Sequence, residues 1–494
     1  MGNVDAVVVG TGPNGLAAGL TLARAGLRVE LYEQHDTVGG GLRATALFDS
    51  RVRHDICATV HPMAMTSRFF REFDLEERGV AMLRPATSYA HPLPGGTAAV
   101  ARADLHETEG LLGRDGKRWR RLMAPLVAHS EGVMDLMVSG QRSLPSDPVG
   151  AFLLARRVLS HGLGSGPFTT EAAKALFTGV AGHVVGGLPS LPGAAVALLL
   201  GHLAHTRTGW PLAEGGSDAV ADALVADIVA HGGVVHTGRR VSSLAELPAG
   251  ATVLLDVAPK GFLGIACGHL PARYARSLRR FRYGPGAAKA DFLVSEPIPW
   301  AASEVGAAGT VHLGGTREEM FRAESATARG ERVREPFVLL VDPAVTDPNR
   351  AVSGKRPVWA YAHVPHGDPR DPVDMIRRRI ETYAPGFTDT ILASRGVSAR
   401  DMEKYNPNHV GGDIASGAMS SRQSVLRPTA RFDPYRTPVP GVYLCSSSTP
   451  PGPGVHGMSG YLAALSALRR EHGVRTPPSV APNKRLGPFG PPFA

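Results

Sequence analysis

Apolar and polar positions change period twice near the N-terminus. Val4, Ala6, Val7, Val8 and Val9 form a nearly unbroken apolar run, the pattern of a parallel strand buried on both faces. Gly10-Thr11-Gly12-Pro13-Asn14-Gly15 follows at once. Leu16, Leu20, Ala23 and Leu27 then repeat at helical spacing, predicting a helix from Pro13 or Asn14 to about Ala25 with Gly26 as its C-cap. Arg28–Glu33 reads as a second strand. Farther on, Val220, Leu224 and Ile228 predict a helix over Ala219–Ala230, ended by Gly232-Gly233. Val234 through Val241 reads as the next strand, and Thr252–Ala258 as another. Near the C-terminus, Gly441–Ser448 is a strand and its exit, followed by a helix over Tyr461–Arg470. Between these lie apolar helical runs at Ala151–Ser160, Glu171–Val185 and Ala194–His205, interrupted by Gly and Pro. From Pro477 to Ala494 the chain is rich in Pro and poor in pattern, which predicts a loose tail.

Composition adds bounds. A chain of 494 residues exceeds what one hydrophobic core serves, so two or more domains are expected. With 43% apolar and 20% charged residues it has an ordinary globular balance. No run approaches the ~18–20 apolar residues that span a bilayer, and the N-terminus lacks the tripartite signal-peptide pattern; a cytoplasmic protein is expected. The net charge of +9 is carried mostly by scattered arginines with no nucleic-acid-binding module, so no nucleic-acid partner is expected. Weak attraction to anionic membranes leaves a peripheral contact open, and oligomeric state is not legible. Cys57, Cys267 and Cys445 are far apart and form no CxxC pair, predicting buried free thiols and no zinc knuckle. No HExxH or acidic cluster predicts a metal, and no GxSxG predicts a serine nucleophile.

The glycine-rich turn carries the chemistry. Gly10 permits the tight turn, Gly12 lets the backbone approach a pyrophosphate, and Gly15 lets the helix pack on the strand. Pro13 and Asn14 open the helix whose free amides face the phosphates. Glu33, followed by Gln34, falls about 20 residues on, where a carboxylate accepts hydrogen bonds from ribose hydroxyls and repels a 2′-phosphate. A dinucleotide other than NADP is therefore expected. Gly452, Gly454 and Gly457 form a second GxGxxG, but no strand ending in an acidic residue follows, so a second nucleotide site is rejected.

Val38-Gly39-Gly40-Gly41-Leu42-Arg43-Ala44-Thr45 resembles the second glycine-rich segment of the FAD-containing amine oxidase and phytoene desaturase superfamily. Further matching stretches are His54–Cys57 with His61-Pro62, Trp210–Ser217, Asn406-Pro407-Asn408 with Gly411–Asp413, and Cys445–Gly460. Together they make the chain similar to a phytoene-desaturase-related FAD oxidoreductase, most like the group called pyridine nucleotide-disulfide oxidoreductase domain-containing protein 2. The resemblance implies FAD as cofactor. It places Gly40, Gly41, Leu42 and Arg43 beside the pyrophosphate, where Arg43 adds the positive charge the helix amides only partly supply. It places Val60 in the loop that passes the flavin, and the backbone of Val241 on the adenine. Ser447, Gly457 and Met458 lie at the flavin end, with the helix start stabilising charge on the reduced ring. Ser446 departs from the glycine common at that position.

The fold expected on this basis is α/β: a Rossmann-type FAD-binding domain built from discontinuous segments, with a mixed sheet-and-helix substrate domain. The FAD-binding domain takes 1–75, 206–289 and 396–475, the substrate domain 76–205 and 290–395, and the Pro-rich tail 476–494. The leading functional expectation is a dehydrogenase, desaturase or isomerase that moves hydride from an apolar, isoprenoid-like small molecule to flavin N5. An amine or protoporphyrinogen-type oxidase using oxygen, and a flavin-binding scaffold acting through partners, are the alternatives. His456 is the candidate acid–base residue. His54, Asp55 and His61 belong to the loop passing the flavin, with Asp55 expected to bond that loop. Asn406 and Asn408 are expected to fix a turn, and Asp413 either to bond backbone amides near the flavin or to cap a turn.

Overall fold

The computed structural model describes residues 4–138, 144–162, 166 and 168–482. Residues 483–494 of the expected Pro-rich tail lie outside them. The apolar N-terminal run forms the strand Ala6–Val9, completely buried along its length as a central parallel strand must be. It is the middle of a five-stranded parallel sheet in the order Val442–Leu444, Thr252–Leu255, Ala6–Val9, Val29–Tyr32, Val234–His236. The chain leaves the first strand toward one side of the sheet and later returns on the other. The carboxyl end of Ala6–Val9 is therefore the topological switch point, where open α/β sheets hold their ligands.

The helix Pro13–Arg24 lies over this sheet and packs against Met458–Glu471, so closely that a Cβ at Gly460 would stand 1.7 Å from the Asn14 carbonyl oxygen and one at Gly457 3.2 Å from the Ala17 Cβ. Two strands stop earlier than their apolar patterns suggested. The outer strand ends at His236, because Gly238 (φ +64°) turns the chain and donates its N–H to the His35 carbonyl. The strand from Thr252 ends at Leu255, with the Asp256 N–H making a last hydrogen bond to the Val9 carbonyl (2.8 Å). Helices at the expected places run over Asp218–Ala230, Pro148–Gly162, Glu171–Ala181 and Leu191–Leu203.

A second, seven-stranded sheet runs Ile391–Val397, Gly286–Val294, Arg356–Val364, Val338–Val341, Ala308–Leu313, Thr87–Leu93, Thr97–Arg102. It is antiparallel except for the pair Ala308–Leu313 and Thr87–Leu93. The helices Gly116–Ala128, Pro148–Gly162, Glu171–Ala181 and Leu191–Leu203 cluster beside it. Gly286–Val294 and Ile391–Val397 each run across a sequence-assigned boundary, at 289/290 and 395/396, and both belong to this second sheet. The strand Gly286–Val294 is fully buried yet carries Lys289 and Asp291, paired with each other two residues apart. That ion pair interrupts the apolar pattern by which a buried strand is recognised. The architecture is thus α/β, a parallel nucleotide-type sheet joined to a mixed sheet-and-helix half.

Among the described residues no helix is long and apolar enough to cross a membrane. No group of three or more His, Cys, Asp or Glu side chains there could hold a metal ion. The three thiols are unpaired; Cys445 is buried and Cys57 half-buried. Cys267 is exposed rather than buried, because it follows the short helix Pro259–Ile265 into a surface turn.

Candidate functional site

One cavity of about 780 Å³ runs from the glycine turn at the switch point to the inner face of the second sheet. Its volume lies within the range of small-molecule and cofactor sites. At one end it is lined by Gly10, Gly12, Pro13 and Asn14, with Glu33 and Gln34 from the end of the second strand. Gly40, Gly41 and Arg43 come from the second glycine-rich segment, and Val60, Val241, Ser447 and His456 complete the expected residues that reach it. Four expected residues do not line it. Leu42 is fully buried in the core, the Gly15 amide faces Asp256, Gly457 packs on Phe69 and Ala17, and Met458 is buried as the first residue of its helix.

The local backbone explains why these segments converge. At Gly15 a Cβ would stand 2.1 Å from the Gly10 carbonyl oxygen, so only glycine lets the helix approach the strand this closely. At Gly40 (φ +55°) a Cβ would stand 2.9 Å from the Gly12 Cα, so the two glycine-rich segments touch backbone to backbone. Arg43 donates through Nε to the Gly40 carbonyl (3.0 Å) and through a terminal nitrogen to the Tyr405 carbonyl (3.2 Å). Its guanidinium lies 4.1 Å over the Tyr405 ring. A fixed cation therefore stands beside the two glycine segments.

Glu33 is pinned. One carboxylate oxygen accepts from the Thr11 N–H (3.0 Å) and hydroxyl (2.6 Å), and the other accepts from the His35 N–H (3.0 Å). A carboxylate has about four acceptor positions, so about one remains for a ligand hydroxyl. Asn14 donates to the Ser447 hydroxyl (3.2 Å), while its carbonyl oxygen is buried without a partner at the cavity wall. A buried acceptor left unpaired costs about 1–3 kcal/mol, which a ligand N–H or O–H would relieve.

The pattern of residues did not single out Asp256. Its carboxylate accepts the Gly15 N–H (3.0 Å) and faces the Gly12 amide. Burial, with the Glu33 charge as a further cause, pushes its pKa up to about 7 against these hydrogen bonds. The Gly15 amide is thereby occupied by the protein itself, so charge on a bound pyrophosphate falls more heavily to Arg43. The signal was present as one acidic residue inside the otherwise apolar run Thr252–Ala258. Asn408 fixes the same corner, accepting from the Ala258 N–H (2.7 Å) and donating to the Asp256 carbonyl (2.9 Å); Asn406 accepts from the Asn408 N–H (3.1 Å).

His456 holds a turn. Its Nδ1 accepts from the Met458 N–H (3.0 Å) and its Nε2 donates to the Gly452 carbonyl (3.1 Å). Burial holds its pKa down to about 4. With both ring nitrogens committed to the backbone, neither is free to exchange a proton with a substrate, contrary to the acid–base role expected of it. Asp55 accepts from the Ser217 N–H (2.9 Å), the Thr59 hydroxyl (3.0 Å) and Arg350 (3.1 Å), tying its loop to the neighbouring elements. His61 bonds the Ser217 hydroxyl (2.9 Å), and His54 the Phe292 carbonyl (3.3 Å). Asp413 accepts from the amides of Gly284, Ala415 and Gly417, closing its own turn. The far end of the cavity is walled by Leu199, Leu200, Trp210, Leu339 and Trp359, with Thr310, His183 and Tyr361 as polar members.

Residues 8–73 match the NAD(P)-binding Rossmann-like domain family. Mouse pyridine nucleotide-disulfide oxidoreductase domain-containing protein 2 is 43% identical over 91 residues, 18% of this chain and 16% of that protein. A limonene dehydrogenase chain from Castellaniella defragrans is 30% identical over 164 residues, 32% of this chain and 28% of that one. The chain thus aligns with under a third of either relative's length. Among solved structures, cyclohexylamine oxidase from Brevibacterium oxydans superposes with a TM-score of 0.59 at 16% identity, covering 95% of this chain and all of that one. The chain shares the overall fold of that oxidase and carries a Rossmann-like nucleotide-binding unit, and the two relatives are named as an oxidoreductase-domain protein and a dehydrogenase.

Proposed function

We propose that this chain is an FAD-dependent oxidoreductase, a dehydrogenase, desaturase or isomerase whose substrate is largely apolar and isoprenoid-like. The observation that carries the reading is the single cavity joining a dinucleotide-type turn to an apolar wall on the second sheet. The residues fit FAD: pinned Glu33 for the ribose, Arg43 and the Gly40–Gly41 backbone for the pyrophosphate, Asn14 and Ser447 farther along, and the backbone of Val241 at the adenine end. When bound, FAD supplies a hydride acceptor. The chain's own residues orient the ligand and exclude water, and the walls of Leu199, Leu200 and Leu339 favour an apolar body. The dehydrogenase named for limonene, a terpene, supports the substrate class. Purification tests the reading: a yellow protein that retains or rebinds FAD supports it, and a colourless one that does not rebind FAD ends it.

A second reading is an amine oxidase using oxygen. Trp359 and Tyr361 line the cavity with rings stacked 6.0 Å apart, surfaces on which a cationic amine could dock. Steady hydrogen peroxide production with amines, and none with apolar dienes, would favour it over the first.

A further inference from the structure

At the apolar end of the cavity two histidines meet. His183 follows the helix Glu171–Ala181, His312 lies in the strand Ala308–Leu313, and their Nε2 atoms are 2.9 Å apart. One nitrogen must donate and the other accept. His312 is fully buried, and its Nδ1 has no partner. The backbone of Gly179 covers it, since a Cβ there would stand 3.0 Å from that nitrogen. If His183 donated, the only N–H of a neutral His312 would be this orphaned Nδ1, and orphaned buried N–H groups are rarer than orphaned acceptors. The favoured assignment is that His312 donates from Nε2 to His183 Nε2. His183 then carries its own proton on Nδ1, and of the pair it is His183 that is half-buried and lines the cavity. Both rings are neutral near pH 7, because burial lowers the His183 pKa to about 3 and that of His312 well below its ordinary value.

A second observation points to the same place. Thr310 stands two residues before His312, hence on the same face of the strand. It lines the cavity, is 2% exposed, and its hydroxyl has no partner. His183 and Thr310 thus reach a largely apolar wall of Leu199, Leu200, Trp210 and Leu339, with the Tyr361 ring beyond Leu339 on the neighbouring strand. The other titratable groups around the pair are His91, His363 with Glu324, Tyr89, and Tyr361, which stacks on His363 and lines the cavity. His91 bonds the Gly315 carbonyl through Nε2 (2.8 Å), and His363 pairs with Glu324 through Nδ1 (2.7 Å). Tyr89 lies against the His312 ring with its hydroxyl buried.

We propose that His183 and Thr310 form an oxygen-recognising subsite, so that the preferred ligand is an apolar, terpene-sized ketone or alcohol rather than a pure hydrocarbon. His183 donates from Nδ1 to the ligand oxygen and the Thr310 hydroxyl adds a second hydrogen bond. His312 is a positioning residue that fixes the His183 tautomer. This rests on the apolar end of the cavity being the substrate end in the function proposed above.

The test uses the full chain as purified, with menthone, menthol and p-menthane as probes: one carbon skeleton as ketone, alcohol and hydrocarbon. Binding is read by tryptophan fluorescence, since Trp210 stands edge-on to His183 with ring centroids 5.5 Å apart. One hydrogen bond of about 1.4 kcal/mol is a tenfold preference, so menthone and menthol should bind at least about tenfold more tightly than p-menthane. His183→Phe should bring the three ligands within about twofold while leaving p-menthane affinity near wild type. Thr310→Val, nearly isosteric, should reduce the preference without abolishing it and serves should His183→Phe not fold. His312→Phe should lower ketone affinity alone, and His183→Gln, which restores a donor, should recover part of the preference. Equal binding of all three ligands to the wild type, or a preference that survives in both His183→Phe and Thr310→Val, would overturn the proposal. Flavin absorbance is recorded separately. A flavin-free protein that keeps the preference refutes the function reading and spares the subsite, while a yellow protein without the preference does the reverse.

Discussion

Replacing Asp256 with asparagine perturbs the glycine turn where its electrostatics are most one-sided. The buried carboxyl has its pKa raised from 3.8 to about 7, first by desolvation and then by Glu33. In the unfolded chain it ionises near the ordinary value, so between these two pH values the folded protein keeps a proton that the unfolded chain has released. Stability is therefore highest at low pH, falls as pH rises through the window, and levels off above about 7. A shift of about 3 units is worth about 4 kcal/mol, and about 2 kcal/mol of this is lost between pH 5 and 7. Asparagine keeps an oxygen to accept the Gly15 N–H and cannot ionise. The expected result is that Asp256→Asn gains on the wild type by about 3 kcal/mol between pH 5 and 8, with its largest advantage at pH 8. Urea unfolding of both proteins across that range measures it. An advantage that does not change with pH, or a variant less stable than the wild type at pH 8, would refute the reasoning. The same substitution should also tighten FAD binding at pH 8, where the wild-type carboxylate repels a pyrophosphate.

Arg43→Ala removes the cation stacked 4.1 Å over Tyr405 and should weaken FAD retention at least about tenfold in rebinding titrations; unchanged retention would count against Arg43 as the pyrophosphate partner. Gly40→Ala forces a Cβ to within 2.9 Å of the Gly12 Cα at a positive φ, and should lower the melting temperature and the flavin content together. Lys289→Met leaves Asp291, 2% exposed, without its ion partner. That should cost about 3–5 kcal/mol in chemical unfolding, with Lys289→Met/Asp291→Leu recovering part of the loss.

Local pattern carried the nucleotide half of the molecule because its elements are short, strongly periodic and consecutive. The run Val4–Val9, the turn at Gly10 and the helix after it are each specified by neighbours in sequence. The rest depends on contacts across long separations. His183 and His312 are unremarked histidines until a helix end and a strand place their rings 5.0 Å apart. Lys289 and Asp291 spoil the apolar reading of their strand because each neutralises the other inside it. His456 looked like an acid–base group by its place in the chain, but the backbone at Gly452 and Met458 takes both its nitrogens. Asp256 hid inside an apolar run read as strand, and its position beside Gly12 and Gly15 exists only once two parallel strands are paired in register.

The flavin content of the purified chain tests the central claim most directly. Denaturing release of the chromophore, with its identity set by mass and its amount compared with protein, should yield FAD near one per chain, either as isolated or after incubation with FAD and removal of the excess. A chain that releases no flavin and takes up none would contradict the account.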